Sequence, residues 1–279
     1  MRYAVVLPGG TAAQQLEDAI LAERAGWDGV FVWEAAYGVD AWSMLGAMAA
    51  RTERIRLGTM LTPLPWRRPW KVASQVATVD QLSGGRAILG VGVGALGTDL
   101  PDTGEATGLA ERAAMLDEGI DLIRGLWDGA RDYEGVHYQY RTGRMDLTAA
   151  VRPVQARIPI WVVGVWPRRK SMRRVLRCDG LIPQFEVGDR APAPDDARAA
   201  RAWLTRHGAH PDLDLVAEGE TPAGDQVAAA AQVEPWARAG CTWWLETRWS
   251  EPGQTSAGQD PMRTRLMAGP PVTPDRGRS

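Results

Sequence analysis

Residues 57–94 constrain the fold more than any other part of the chain. They contain an apolar strand that ends at Gly58-Thr59, a proline-rich loop, an amphipathic helix, a Gly84-Gly85 stop and a second apolar strand that ends in Gly92-Val93-Gly94. This order predicts two parallel strands joined by a helix that packs on the sheet. The glycines fall at the carboxyl ends of both strands, where α/β proteins bind ligands.

The same alternation runs through most of the chain. Short apolar runs predict strands at residues 3–7, 29–33, 55–61, 87–91, 158–163, 180–183, 212–217 and 242–245. Helical periodicity lies between them, at residues 12–25, after Asp40, from Pro69, and at 109–129, 167–177, 195–207 and 224–239. Alternating strands and helices predict an α/β protein with a parallel sheet. Eight such units favour a closed (β/α)8 TIM barrel over an open sheet.

The segment after the eighth strand differs in composition. Residues 250–279 are rich in proline and arginine and show little apolar periodicity. We therefore expect a single barrel domain over residues 1–249, followed by a mobile C-terminal tail over residues 250–279.

Composition limits the kinds of partner that the chain can bind. The formal net charge is -2, which argues against binding of nucleic acid. Two cysteines and three histidines show no ligand spacing, so we expect no metal site. No apolar run reaches the roughly 18 residues of a membrane span. With no signal peptide at the N-terminus, the expected location is cytoplasmic.

Gly92 to Gly97 matches the G-x-G-x-x-G pattern of dinucleotide-binding loops. In those folds the pattern opens a helix at once and belongs to the first βα unit. Here it follows the fourth strand and runs into a loop with Pro101. We interpret it as a glycine-rich strand end that a flat ligand can approach closely.

Polar and basic residues follow two other strands. Trp33-Glu34 ends the second strand, where a carboxylate could orient a substrate or cofactor or form an ordinary loop salt bridge. Gly164 to Trp166 is predicted to form a turn after the fifth strand, with Pro167 at the first helical position. The start of that helix, with its basic run 168–170, could bind phosphate. At the opposite face, Asp80 and Arg86 are expected to form a structural ion pair or cap.

Several segments together resemble a known family. They are Ala50-Arg51-Thr52-Glu53-Arg54-Ile55-Arg56-Leu57-Gly58-Thr59, Pro63, Arg68-Pro69, Asp80-Gln81-Leu82-Ser83-Gly84-Gly85-Arg86, Leu89-Gly90-Val91-Gly92-Val93-Gly94, Arg112 with Glu118, Glu134-Gly135-Val136-His137-Tyr138, Pro153-Val154-Gln155, Ile158-Pro159-Ile160-Trp161-Val162 and Cys178-Asp179-Gly180. The chain resembles the bacterial-luciferase-like flavin-dependent monooxygenases over about residues 1–245. The block at 50–94 is the most specific part of the match.

The resemblance implies a luciferase-like barrel with FMN, or the deazaflavin F420, over a bulge after the third strand, often with a non-prolyl cis peptide. Carried onto this chain, it places Thr59, Met60 and Leu61 under the ring, with Gly92, Val93 and Gly94 beside it. Gly164, Val165, Trp166 and Arg168 would meet the phosphate. Trp33 and Trp66 would line the substrate pocket, and Glu34 is the candidate catalytic residue.

The expected function is that of a two-component monooxygenase. It would use reduced FMN from a separate flavin reductase, and O₂, on a small organic substrate, as a homodimer. One alternative is an F420-dependent dehydrogenase or reductase that transfers hydride, with the basic run 168–170 against that cofactor's acidic tail. A second is a non-catalytic flavin-binding barrel. Many relatives place a histidine after the acidic residue that ends strand two, but here Ala35 follows Glu34, so the catalytic base stays open.

Overall fold

The computed structural model describes residues 1–97, 103–143, 147–248 and 261–271. Its strands are β1 (Arg2–Leu7), β2 (Gly29–Val32), β3 (Arg56–Thr59), β4 (Thr62–Pro63), β5 (Ala87–Gly92), β6 (Asp132–Glu134), β7 (Gln139–Arg141), β8 (Ile160–Trp166), β9 (Gly180–Phe185), β10 (Asp214–Gly219) and β11 (Trp243–Glu246). Its helices are α1 (Ala12–Arg24), α2 (Ala41–Ala49), α3 (Pro69–Ser83), α4 (Leu109–Trp127), α5 (Arg169–Val175), α6 (Pro194–Arg206), α7 (Gln226–Arg238) and α8 (Pro261–Met267).

Eight parallel strands close into a barrel. The order is β1-β2-β3-β5-β8-β9-β10-β11, and β11 pairs with β1. The circle closes where Leu57 of β3 pairs with Ala87 of β5. One of the eight helices follows each barrel strand, so the predicted (β/α)8 TIM barrel is confirmed. β6 and β7 form an antiparallel hairpin outside the barrel, between α4 and β8.

Local sequence chemistry sets the helix ends. Thr11 and Gln14 form a capping box at the start of α1. Asp40 caps α2 by accepting a hydrogen bond from the Ser43 amide. Gly84 ends α3 with φ of 66°, a left-handed conformation that favours glycine. These boundaries agree with those predicted from the sequence.

Three aromatic side chains fill the barrel interior. Phe31 stacks on Trp161 at a centroid distance of 5.2 Å, and Trp243 packs edge-on against both rings. Glycines make room for them: a Cβ at Gly180 would lie 2.2 Å from the Trp161 ring, and one at Gly58 2.6 Å from Phe31. The interior is therefore a packed core, and a ligand site is left at its mouth.

The expected mobile tail contains the eighth barrel helix. Within residues 261–271, α8 buries Arg265 and Leu266 fully and packs near α1. Trp27 donates its indole N–H to the Leu266 carbonyl. The sequence predicted a mobile tail, and this helix was not expected within it, because seven residues are too few to show a clear helical period. Residues 249–260 and 272–279 lie outside the described residues.

Two predicted boundaries need correction. β8 continues to Trp166, which pairs with Phe185 of β9, so Gly164 to Trp166 form a strand and not a turn. Consequently α5 begins at Arg169, and Pro167 precedes the helix. β3 ends at Thr59, two residues earlier than expected.

The predicted contact between Asp80 and Arg86 takes another form. Asp80 accepts hydrogen bonds from the amides of Val154 and Gln155, and so fixes the segment that enters β8. Arg86 donates to backbone carbonyls, including that of Ile55. Both residues are structural, as expected, but through different partners. Among the described helices, none has the length and apolar character needed to cross a bilayer.

Candidate functional site

Two adjoining cavities open at the carboxyl ends of the barrel strands; together we call them the mouth groove. The first, of about 410 Å³, is lined by Trp33, Glu34, Met60, Leu61, Pro63, Trp66, Gly92, Val93, Gly94, Ala95, Val163 and Gln184. The second, of about 440 Å³, is lined by Met60, Leu61, Val163, Ile182, Pro183, Gln184, Phe185, Pro192, Val216, Ala217, Glu218 and Trp236. They share four residues, and each volume is in the range of small-molecule sites.

The shared floor lies just after β3. Met60 and Leu61 line both cavities and are joined by a cis peptide bond, the feature that the resemblance implied. Thr59 lies beneath this floor and is fully buried. Its hydroxyl donates to the Gly90 carbonyl over 2.9 Å and accepts from the Thr62 hydroxyl over 3.0 Å. Thr59 therefore supports the floor from below.

Gly92 to Gly94 form one edge of the first cavity, which we call the glycine rim. Trp66 and Arg112 hold this rim in place. A Cβ at Gly94 would lie 2.3 Å from the Trp66 ring, and Gly94 has φ of +80°. The Trp66 indole donates to the Ala106 carbonyl over 2.9 Å. Arg112 lies over the Trp66 ring and donates to the carbonyls of Val93 and Gly94. The rim needs glycine because an aromatic ring fills the space of a side chain.

Glu34 contributes a buried carboxylate to the first cavity. Its side chain is 6% exposed and pairs through Oε1 with Arg67, which also donates to the Gln75 side chain. Oε2 has no hydrogen-bond partner within the described residues. Burial raises the pKa of Glu34, while the charge of Arg67 opposes the shift. Glu34 is thus both a loop salt bridge and part of the cavity wall.

Trp33 covers the outer part of the same cavity. It is 36% exposed, and its indole N–H donates to the Pro8 carbonyl over 2.9 Å. The hydrogen bond fixes the ring on the loop after β1 while one face stays open to solvent. An amphipathic ring in such a position can cover a bound ligand.

Glu218 is a functional candidate that sequence reasoning missed. It follows the inward-facing Val216 by two residues on β10, so it also points into the barrel mouth. There it lines the second cavity; its surface is open to the cavity, although the surrounding protein partly desolvates it and raises its pKa. The predicted strand stopped at residue 217. Extending its two-residue period by one position would have found Glu218.

Four predicted cofactor-binding residues lie outside the mouth groove. Gly164 faces α5, since a Cβ there would lie 2.8 Å from Val175. The Val165 amide donates to a side chain of α5, and Trp166 packs outward against α6. Arg168 forms a surface ion pair. The structure brings together the predicted residues that follow β2, β3 and β5, and it leaves these four outside the described lining of both cavities.

Comparisons with known proteins agree with this architecture. The sequence pattern of the luciferase-like monooxygenase family matches residues 3–264. The chain is 32% identical over 224 residues to the F420-dependent glucose-6-phosphate dehydrogenase of Microbacterium testaceum, covering 73% of this chain and 62% of that enzyme. It is 37% identical over 179 residues to the enzyme of the same name from Nakamurella multipartita, covering 59% and 50%. The chain thus spans less than two thirds of these relatives.

A solved structure shows the same fold. The F420-dependent tetrahydromethanopterin reductase from Methanopyrus kandleri superposes with a TM-score of 0.72, covering 96% of this chain and 97% of that one. Sequence identity is 17%, so the likeness concerns the fold.

These relatives overturn the expected reaction. The sequence favoured a two-component FMN monooxygenase, whereas the curated relatives are named as F420-dependent dehydrogenases. The expectation was wrong because the motifs at 50–94 form the floor and the glycine rim of the mouth groove, and these residues do not specify a redox reaction. An oxidoreductase of the expected fold agrees with all the matches. With the closed barrel, the mouth groove and a match across residues 3–264, the chain belongs to the luciferase-like monooxygenase family.

Proposed function

We propose that this protein is an F420-dependent oxidoreductase that transfers a hydride between the deazaflavin and a small alcohol or carbonyl compound. The observation that carries the proposal is the mouth groove, whose two cavities share one floor. One cavity can take a flat ring and the other its reaction partner. The names of the relatives support F420 as the cofactor.

The residues of the first cavity fit a flat, apolar ring. Met60 and Leu61 would support it, and the glycine rim lets it approach the backbone closely. When bound, the deazaflavin supplies the hydride chemistry. We assign Glu34 a positioning role beside it, because its pairing with Arg67 leaves it less free to exchange a proton. Trp33 and Trp66 would exclude water from this side.

The second cavity indicates the substrate class. Its walls are mainly apolar, and none of its described lining residues is cationic. Phosphate groups are usually held by arginine or lysine, so a sugar phosphate would find no partner there. This differs from the named substrate of the relatives. An uncharged, largely apolar alcohol or ketone matches these walls.

Glu218 is our candidate for proton transfer. Oxidation of an alcohol requires a base that accepts the hydroxyl proton, and reduction of a carbonyl requires an acid that donates one. Glu218 is the titratable residue among the described lining of the second cavity. Burial raises the pKa of Glu218, which is the direction that suits a carboxyl group acting as acid and base.

Titration of the protein with F420 and, separately, with FMN tests the cofactor, with quenching of tryptophan fluorescence as the readout. We expect saturable binding of F420 and none of FMN. Gly92→Val should abolish F420 binding, because a Cβ there already lies 3.0 Å from the Leu61 side chain. Gly97→Val is the matched control, since nothing lies within 4 Å of that position.

The reaction is tested by mixing the protein and F420 anaerobically with uncharged alcohols and with glucose 6-phosphate. Reduction of the deazaflavin by an uncharged alcohol, with no response to the sugar phosphate, is expected. Equal affinity for FMN, or F420 binding without turnover of any alcohol or carbonyl, would overturn the proposal.

A further inference from the structure

A second, basic cavity lies outside the barrel mouth, between α5 and α6. It measures about 390 Å³ and is lined by Arg169, Arg173, Trp203, Arg206 and His207. We call it the basic cavity. No carboxylate is among its described lining residues. It shares no lining residue with the mouth groove, so it is a separate feature of the surface.

The arginines of the basic cavity lack the ion pairs that their neighbours make. Along the same segment, Arg168 pairs with Glu186, and Arg174 pairs with Asp117. Arg169 forms no ion pair within the described part of the chain.

Arg173 and Arg206 are likewise without an ion pair there. They belong to the last turns of α5 and α6, where the helix dipole favours cations. The dipole explains one cation at each helix end. It does not explain why both converge with Arg169 in one cavity, where like charges repel and a bound anion would relieve the repulsion.

An aromatic pair forms the fixed wall of this cavity. The His207 imidazole stacks on the Trp203 indole at 3.9 Å and an interplanar angle of 19°. Its Nδ1 donates to the Trp203 carbonyl over 2.8 Å, which holds the ring in place. Trp203 packs edge-on against Trp166, the last residue of β8. The aromatic wall of the basic cavity therefore reaches the end of β8.

We propose that the basic cavity binds an oxyanion with more than one charged group, a chain of phosphates or carboxylates. Planar guanidinium groups bind phosphate and carboxylate through paired hydrogen bonds. Three of them around one cavity match several anionic groups better than one. Two sources share this chemistry: the acidic tail of the deazaflavin, which rests on the proposed function, and a free phosphorylated metabolite, which does not.

Binding of inorganic pyrophosphate, followed by calorimetry and tryptophan fluorescence at low ionic strength, tests the cavity directly. Arg173→Glu is expected to weaken binding about tenfold or more, since it removes a charged hydrogen-bond donor. Arg169→Glu should do the same and serves as a second variant if the first folds poorly. Arg198→Glu is the matched control: it makes the same charge change at an exposed position of α6, outside the cavity lining. It should alter binding less than about twofold.

The source of the anion follows from a second comparison. F420 with its tail and a deazaflavin lacking the phosphate and glutamate groups are titrated into wild type and Arg173→Glu. If the tail occupies the cavity, the variant loses affinity for full F420 and keeps it for the shortened form. If a free metabolite is the ligand, both deazaflavins bind the variant normally and only pyrophosphate binding falls.

Two outcomes overturn the inference: no saturable pyrophosphate binding by wild type together with unchanged F420 affinity in Arg173→Glu, or equal losses of pyrophosphate affinity in Arg173→Glu and Arg198→Glu. The result is separable from the proposed function. Pyrophosphate binding that depends on Arg173, with no F420 binding at all, would remove the proposed cofactor and keep the anion site.

Discussion

Glu218 and Glu34 are two carboxylates at one barrel mouth in different surroundings. Glu34 is buried and has Arg67 as a counter-charge, whereas Glu218 faces an apolar cavity and forms no ion pair within the described residues. Desolvation raises the pKa of both, but only Glu34 has a cation that opposes the shift. Their surroundings divide the proposed roles into proton transfer by Glu218 and positioning by Glu34.

Glu218→Gln is expected to lower kcat by about 10²- to 10⁴-fold while leaving F420 affinity unchanged. In wild type the rate of alcohol oxidation should fall as pH falls through the pKa of Glu218, which burial raises from its ordinary value. The variant should lose this acid limb. A raised pKa also means that ionisation disfavours the folded state, so Gln should not lower Tm at alkaline pH.

Steady-state pH profiles and thermal melts check these expectations. Glu234→Gln, an exposed change on α7, is the control and should alter neither the pH profile nor Tm. An unchanged acid limb in Glu218→Gln would remove Glu218 from the reaction.

Glu34→Gln is expected to reduce turnover and weaken F420 binding. The amide cannot neutralise Arg67, so the loop that carries the Met60–Leu61 floor loses an anchor. Glu53→Gln, at an exposed position, is the control. Wild-type turnover in Glu34→Gln would exclude the positioning role.

At the scale of elements, α8 completes the barrel through one buried arginine. Arg265 donates to the Thr221 hydroxyl and the Gly269 carbonyl, and lies 3.6 Å from the Glu246 carboxylate. Its guanidinium covers the Trp27 ring at 4.9 Å. This single side chain links α8 to the ends of β10 and β11 and to the loop after α1.

Arg265→Ala should lower the free energy of unfolding by about 3–5 kcal/mol, because it leaves the buried Glu246 without this cation. Arg238→Ala breaks an exposed i,i+4 pair on α7 and should change it by less than about 0.5 kcal/mol. Chemical denaturation of both variants measures the difference. Equal stability of the two would mean that α8 is not anchored through Arg265.

At the scale of the whole molecule, the aromatic core supports the mouth groove from below. Trp161 and Phe31 belong to the same interior cluster as Met60 and Ile182, which line the groove. Packing inside the barrel therefore sets the height of the floor on which a ring would lie.

Trp161→Ala is expected to lower the free energy of unfolding by about 3–5 kcal/mol, as for other buried aromatic residues. It should also weaken F420 binding, because the floor above the vacated volume can relax. Trp70→Ala, at a half-buried position on α3, should lower the free energy of unfolding by less and leave F420 affinity unchanged. Denaturation and F420 titration compare the two variants. If Trp161→Ala bound F420 as tightly as wild type, packing of the core would have no effect on the site.

The local sequence pattern was enough to predict most of the barrel. The strand and helix periods, Asp40 as a cap and Gly84 as a stop are short-range signals, and the structure places them as predicted. The same signals pointed to the residues directly after β2 and β5, and the family resemblance added those after β3. They failed for α8, whose buried Arg265 contacts distant segments, and for residues 164–166, whose pairing with β9 extends the strand.

By itself the sequence determined the fold and the position of the glycine rim, because period and glycine position are properties of neighbouring residues, whereas the floor at Met60 and Leu61 was expected from the family resemblance. Only the tertiary structure decided which side chains meet. It places Glu218 at the barrel mouth and Arg168 at the surface, and arginines of α5 and α6 line one cavity. The physical reason is that burial and charge pairing depend on contacts between segments far apart in the chain, and these set the chemistry of a site.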